Sequence, residues 1–232
     1  MKNKIKFKPS FLSIKSIPTL FWSSPKTLTI KPPLISLIFL VLGLIIFGIG
    51  EALLIAAGVG VSPWTVLAQG ISQLLGWSVG FSTFIISVSV IICWIPLRQT
   101  PGIGTVLNAI IIALVLEYLL PYLPTFESMT FRIIQATFGV IVTGFGGGLY
   151  LIANLGTGPR DGLMTGLQKL TNYPISRVRS LIEISVIILG WLLGGIVGIG
   201  TLLFAFGIGP AVAASLFGLK LFFEEKTSSQ KE

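Results

Sequence analysis

The chain of 232 residues is 53% hydrophobic and only 10% charged, with 16 Lys and Arg against 8 Asp and Glu. This balance excludes an ordinary soluble domain. The sequence has no His, which removes the commonest metal ligand and general base. We find no nucleophile–base pair, no phosphate-binding glycine loop and no metal-ligand spacing, so we expect neither an enzyme nor a cofactor.

Residues 1–33 are predicted to form a basic cytoplasmic N-terminal segment. It carries seven lysines, with aromatic and aliphatic residues between them. That composition suits a segment lying on an anionic leaflet, and a disordered leader that only fixes orientation is the alternative. The excess of lysines in this segment also accounts for most of the net charge of +8, so the charge does not require a nucleic-acid partner.

The rest of the chain is predicted to be all-α, a single transmembrane domain over 34–223 with the lipid bilayer as its partner. About 20 apolar residues are needed to cross the hydrocarbon core as a helix, and continuous apolar runs favour helices over a barrel. We expect a short cytoplasmic tail at 224–232. The six predicted transmembrane helices lie at about 34–57, 80–97, 103–122, 131–153, 179–196 and 201–223.

The basic residues predict the orientation. With six spans, all Lys and Arg except Arg132 fall on one side of the membrane. Because basic residues accumulate on the cytoplasmic side, both termini are expected to be cytoplasmic.

Residues 50–112 repeat at 146–208 at a constant offset of 96, without a gap, and about a third of the aligned positions are identical. A gapless register across loops indicates duplication, because insertions cost little there. Repeat one covers about 34–122 and repeat two about 131–223. Each copy holds three predicted spans, so the sequence predicts two inverted three-helix repeats, a pattern typical of many transporters.

Each copy also has a short proline-started half-helix, at 63–75 and 159–170. Proline suits the first turn of a helix, and the polar residues keep helical spacing. Such a helix either lies at the bilayer surface or dips toward the midplane, with its positive N-terminal end facing a cavity. The glycines before each proline allow close backbone approach. The duplicated polar pairs are Thr65 with Asp161, Gln69 with Thr165, and Ser72 with Gln168.

Three charged residues need an explanation. Arg160 either anchors the chain beside Asp161 at the cytoplasmic surface or forms part of an anion site, a lipid-headgroup site or a gate. Glu183 stands four residues after Arg179, so an ion pair on one helical face is expected. Glu51 lies deep in the first span, where a charge is costly; it either accepts bonds from serines or backbone, stays protonated, or binds a cation or proton.

Several motifs resemble the YczE-type bacterial membrane proteins, relatives of the YitT family. They cover roughly residues 35–215, and Thr65 stands where that family commonly has aspartate. The resemblance implies a multi-pass protein of the bacterial cytoplasmic (inner) membrane. The matching strings are Ser62-Pro-Trp-Thr-Val-Leu67, Pro101-Gly-Ile-Gly-Thr105, Leu155-Gly-Thr-Gly-Pro-Arg-Asp-Gly-Leu-Met164, Arg179-Ser-Leu-Ile-Glu183 and Leu189-Gly-Trp-Leu-Leu-Gly-Gly-Ile-Val-Gly-Ile-Gly-Thr201.

The expected function is movement of a small solute, anionic or dipolar, through a cavity between the repeats. The rival is a non-transporting accessory or regulatory membrane protein that binds another membrane component. The predicted solute-binding residues are Glu51, Ser62, Pro63, Thr65, Gln69, Gly156, Gly158, Pro159, Arg160, Asp161, Thr165 and Glu183.

Overall fold

The computed structural model describes residues 17–229, and the side chains of residues 17–223. All regular structure in this range is helical, as predicted. The helices are α1 (Leu34–Ala57), α2 (Pro63–Leu75), α3 (Val79–Ile92), α4 (Ile103–Leu119), followed by a 3-10 turn (Leu120–Tyr122), then α5 (Met129–Ala153), α6 (Pro159–Thr171), α7 (Ile175–Leu192) and α8 (Ile199–Ser229).

Four of the six predicted spans coincide with helices that are long and apolar enough to cross a membrane: Leu34–Ala57, Ile103–Tyr122, Met129–Ala153 and Ile199–Phe223. The helix pair α2 and α3, bent by 115°, gives a fifth candidate if both count as one broken span.

The remaining predicted spans, 80–97 and 179–196, differ from the structure. The helix α3 has only 14 residues, which is too short to cross the hydrocarbon core alone. The helix α7 has 18 residues, but Arg177, Arg179 and Glu183 fall in its first half. The six-span prediction is therefore not confirmed. The predicted span 80–97 includes a turn after α3, and the predicted span 179–196 includes charged residues of α7.

The centre of the fold is the antiparallel pair α1 and α5, which pack closely through glycines. A Cβ on Gly43 would lie 2.6 Å from the backbone nitrogen of Tyr150, and one on Gly139 would lie 2.9 Å from the nitrogen of Leu54. Small residues let helix backbones approach in this way. The two contacts are equivalent at the offset of 96, since 43 corresponds to 139 and 54 to 150.

The same offset relates the helix ends. The helices α2, α3 and α4 begin 96 residues before α6, α7 and α8. The residue after α1 is Gly58, with φ +60°, and the residue after α5 is Asn154, with φ +54°. A left-handed residue after the last turn is a common helix stop, usually Gly and sometimes Asn. The duplicated sequence therefore folds into duplicated local structure.

The two Gly-Ile-Gly-Thr strings tie each copy to the other. The backbone nitrogen of Gly104 donates to the carbonyl of Leu155 at 2.7 Å, and that of Gly200 donates to Val59 at 2.8 Å. In each case the start of a long helix binds the loop before the other copy's half-helix. The loops around Gly60 and Gly156 are thereby fixed in place.

The described part of the N-terminal segment, residues 17–33, packs on the protein rather than standing free. Trp22 is fully buried in a cluster with Leu149, Ile152 and Leu216. The side-chain amide of Asn154 also donates to the carbonyl of Ser24 at 2.8 Å. The segment is thus attached to the ends of α5 and α8, and residues 1–16 lie outside the described range.

Candidate functional site

A cavity of about 270 Å³ lies where the N-termini of α2 and α6 meet. Pro63 and Trp64 from α2 line it on one side, and Pro159, Arg160 and Asp161 from α6 line it on another. The first amides of a helix have no partner within the helix and carry partial positive charge. Two such helix ends therefore face one internal space.

Both half-helices are held inside the protein. In α2, Thr65 and Gln69 are 1% and 7% exposed, so its polar stripe faces protein and not water. In α6, the backbone carbonyl of Pro159 accepts a hydrogen bond of 2.9 Å from the indole nitrogen of Trp94. The surface-helix alternative therefore does not describe the N-terminal half of α2.

Arg160 supplies a cation to the cavity. Its guanidinium lies over the Trp64 ring, 5.5 Å from the ring centroid, within the range of a cation–π contact. It forms no salt bridge with any residue that the structure describes. The cation is therefore positioned by an aromatic face, and its donors are left for other partners.

Four further polar residues line the cavity with Arg160. Tyr150 donates from its hydroxyl to Asp161 at 3.5 Å, a long hydrogen bond. Arg179 and Glu183 form the ion pair predicted from their spacing, at 2.9 Å, and both line the cavity. The cavity wall thus carries two cations and two carboxylates, of which one pair is already matched.

Glu51 lies just behind this wall. It is 2% exposed, one turn of α1 beyond the cavity-lining Phe47. Its Oε2 is hydrogen-bonded to the hydroxyl of Ser62 at 2.9 Å and to that of Thr65 at 2.8 Å. These contacts join α1 to the N-terminus of α2, next to the cavity-lining Pro63.

Some predicted site residues lie elsewhere. Gln69 accepts a hydrogen bond from the backbone nitrogen of Ile196 at 3.1 Å, and Thr165 donates to the carbonyl of Asp161 within its own helix. Gly156, with φ +122°, packs its backbone against Gly102 in the loop before α4. These three hold the fold, whereas Pro63, Gly158, Pro159, Arg160, Asp161 and Glu183 line the cavity.

The structure also adds residues that sequence reasoning missed. Asn108 and Tyr150 line the cavity, and Trp94 holds the start of α6. Asn108 had a usable signal, because an amide in the middle of an apolar helix usually faces a partner or cavity. The other two carried no such signal, since tyrosine and tryptophan are common at membrane interfaces.

The apolar helices and the cavity, whose wall carries charged residues, define a helical membrane protein with a candidate site. A family model described as a family of unknown function (DUF6198) matches residues 34–216, and the chain belongs to this family.

Similar proteins are known in bacteria. The chain is 43% identical to an uncharacterized protein of Haemophilus influenzae, over 86% of this chain and 90% of that protein. It is 34% identical to the uncharacterized membrane protein YczE of Bacillus subtilis, over 75% of this chain and 82% of that protein. The predicted resemblance to YczE is confirmed, and the YitT relation stays a prediction. No solved structure matches the chain.

Proposed function

We propose that this protein binds a small anionic or dipolar solute in the cavity between α2 and α6 and moves it across the membrane. The main support for this proposal is that two helix N-termini and the guanidinium of Arg160, which forms no salt bridge with the described residues, face one cavity. Helix N-termini favour negatively charged groups. Interrupted helices that meet inside a membrane protein are a frequent form of transport site.

The charges of the wall favour a dipolar or anionic solute over a simple cation. Arg179 and Glu183 neutralise each other at 2.9 Å. Arg160 and Asp161 remain, adjacent at the start of α6, with opposite charge. The two helix ends add positive potential, so the anionic part of a solute would bind at Arg160 and a donor group would bind at Asp161.

The size of the cavity limits the solute. Pockets for drug-sized ligands measure about 300–1,000 Å³, and this cavity measures about 270 Å³. Small inorganic anions and amino-acid-sized molecules fit this volume.

We also infer that the two halves lie in opposite orientations in the bacterial cytoplasmic membrane, with several passes and both termini in the cytoplasm. The antiparallel α1 and α5, whose contacts repeat at the offset of 96, support this arrangement. The distribution of Lys and Arg supports the direction. Alternate exposure of the cavity to the two sides would then complete a transport cycle.

Proteoliposomes test the proposal. Purified protein is reconstituted and uptake is measured for labelled phosphate, sulfate, glutamate and glycine, with choline as the cationic control. We expect uptake of at least one anion or zwitterion and none of choline. Arg160→Gln should weaken it about tenfold or more, because a hydrogen bond to a charged group contributes about 1.5–3 kcal/mol.

Arg177→Gln is the matched control, since Arg177 is exposed on α7 and does not line the cavity. Equal loss in both variants, or uptake of choline in the wild type, would contradict the anion site. If no probe is taken up, the transport proposal is overturned for these solute classes.

An accessory function is favoured by a different observation. A groove of about 660 Å³ runs between α3 and α4, with Trp77, Phe81 and Leu114 along it and Glu117 at one end. An exposed apolar groove is a candidate binding site for another membrane component. A protein that fails to transport but co-purifies with one stoichiometric membrane partner, lost in Phe81→Ala, would support this second function.

A further inference from the structure

The oxygen atoms around Glu51 form a closed triangle. Ser62 Oγ lies 2.9 Å from Glu51 Oε2, Thr65 Oγ1 lies 2.8 Å from the same atom, and the two hydroxyl oxygens lie 2.8 Å apart. Each of these distances is that of an O–H···O hydrogen bond. The triangle therefore contains three hydrogen-bond contacts.

Counting hydrogens shows what the triangle requires. Each hydroxyl has one hydrogen to donate, so Ser62 and Thr65 together supply two. An ionised carboxylate supplies none, which leaves one of the three contacts as two lone pairs facing each other. A protonated carboxyl supplies the third hydrogen, and each oxygen then donates once and accepts once around the ring.

The second carboxyl oxygen supports the same conclusion. Glu51 Oε1 is buried and has no hydrogen-bond partner in the part of the chain that the structure describes. Ionised, the group would hold about half of its negative charge on this unpartnered atom, which is costly away from water. If the proton is on Oε2, Oε1 is a neutral carbonyl oxygen, and burying a neutral oxygen without a partner costs much less.

We propose that Glu51 is a proton-binding site, and that its carboxyl carries a proton in this conformation. The proton on Oε2 is donated to Ser62, the Ser62 hydroxyl donates to Thr65, and the Thr65 hydroxyl donates back to Oε2. The site joins α1 to the start of α2. Loss of the proton breaks the ring at the residue that precedes the cavity-lining Pro63.

The charged groups on the neighbouring helices determine which side chains a negative charge on Glu51 would affect. Arg160 of α6 interacts electrostatically with Glu51, as it does with Asp161 and Glu183. On α5, Arg132 is engaged by the carbonyls of Ala57 and Gly58 at the end of α1, and Tyr150 bonds Asp161. On α4, Glu117 accepts a hydrogen bond from Ser78. Arg160 is thus a cavity-lining cation on which the charge of Glu51 acts.

This gives a link between the proton and the solute, which rests on the function proposed above. An ionised Glu51 would compete with an anionic solute for Arg160, whereas a protonated Glu51 leaves that cation to the solute. Protonation should therefore strengthen anion binding, and anion binding should by the same factor strengthen proton binding. The solute and the proton would then move in the same direction.

Infrared difference spectroscopy tests the proton without reference to any solute. Spectra of solute-free protein at neutral pH are recorded for the wild type and Glu51→Gln, with Asp161→Asn and Glu117→Gln as matched controls. We expect the carbonyl band of a buried protonated carboxylic acid in the wild type and in both controls. That band should be lost only in Glu51→Gln.

Ser62→Ala keeps Glu51 and removes two of the three ring contacts, those with Glu51 and with Thr65. It should therefore shift the same band without abolishing it, and this second variant serves if Glu51→Gln folds poorly. Identical carbonyl regions in wild type and Glu51→Gln, or a carboxylate band that only Glu51→Gln removes, would overturn the proposal. The latter result would point to an ionised group and fit a bound metal cation instead. Because no solute is present, either outcome leaves the transport proposal to its own flux test.

Discussion

Trp94 fills the space left by a glycine on α6. It is 2% exposed, and a Cβ on Gly162 would lie 1.9 Å from an atom of its ring. The residue that corresponds to Trp94 in the second half is Gly190, on which the backbone of Leu67 packs. One half-helix is therefore held by a large side chain, and the other by direct backbone contact.

Gly162→Ala should destabilise the protein, because the added methyl overlaps a ring that has no room to move. Overpacking of this kind costs about 1–3 kcal/mol, measurable as a lower melting temperature in detergent. Gly218→Ala on α8 is the control, since a Cβ there meets nothing within 4 Å. The double change with Trp94→Leu should recover part of the loss; equal melting of Gly162→Ala and wild type would refute this packing argument.

The Arg179–Glu183 pair should matter more for the site than for stability. Their side chains are 53% and 27% exposed, and an exposed pair contributes about 0–1 kcal/mol. Glu183→Gln should therefore change the melting temperature little. It should free the Arg179 cation within the cavity and alter anion binding, as measured by titration with the transported probe. A large loss of stability without a change in binding would assign the pair a structural role.

At the scale of elements, the two Gly-Ile-Gly-Thr strings are equal in sequence but unequal in bonding. Thr105 accepts from the backbone nitrogen of Gly102 at 3.2 Å and donates to the carbonyl of Thr157 at 2.6 Å. Thr201 accepts from Gly198 at 3.3 Å. The first string therefore holds the start of α6, through Thr157, more firmly than the second holds the start of α2.

Thr105→Val should consequently destabilise more than Thr201→Val. Both changes remove a cap, but the first also removes the hydrogen bond to the carbonyl of Thr157, which adds about 1 kcal/mol. The repeat supplies its own matched control, because the two substitutions are chemically identical. Comparing chemical denaturation of the two variants gives the difference, and a larger effect at Thr201 would reverse the assignment.

The elements themselves were predictable to different degrees. Pro63 and Pro159 predict the half-helices because proline has one favourable place in a helix, and the structure begins α2 and α6 there. The partners of Gln69 and Glu51 could not be predicted, since both depend on which distant segment packs against them. The span predicted at 80–97, which contains α3, was too long because Cys93–Leu97 is apolar but forms turns against α6.

For the whole molecule, the symmetry of the sequence is broken in the packing. The helix α3 packs along α4, whereas α7 makes few contacts with α8. The cavity opens at this second place, with Glu183 of α7 and Ile208 of α8 in its wall. If the halves exchanged these arrangements, the cavity would close there and a matching cavity would open between α3 and α4, distinct from the surface groove that Phe81 lines.

Such an exchange produces transport only if the two halves face opposite sides of the membrane. The C-terminal ends of α2 and α6 report this directly, because Leu74 and Leu170 are equivalent at the offset of 96 and are 65% and 69% exposed. Ser62 and Gly158, by contrast, stand at the buried ends of the loops and are poor reporters.

The labelling experiment uses single cysteines at 74 and at 170, in a Cys93→Ser background because Cys93 is exposed. Each variant is treated with an impermeant thiol reagent. With basic residues on the cytoplasmic side, we expect position 74 to label in intact cells and position 170 only in inverted vesicles. Labelling of both positions from one side would exclude the inverted arrangement and, with it, a transport cycle based on exchange between the halves.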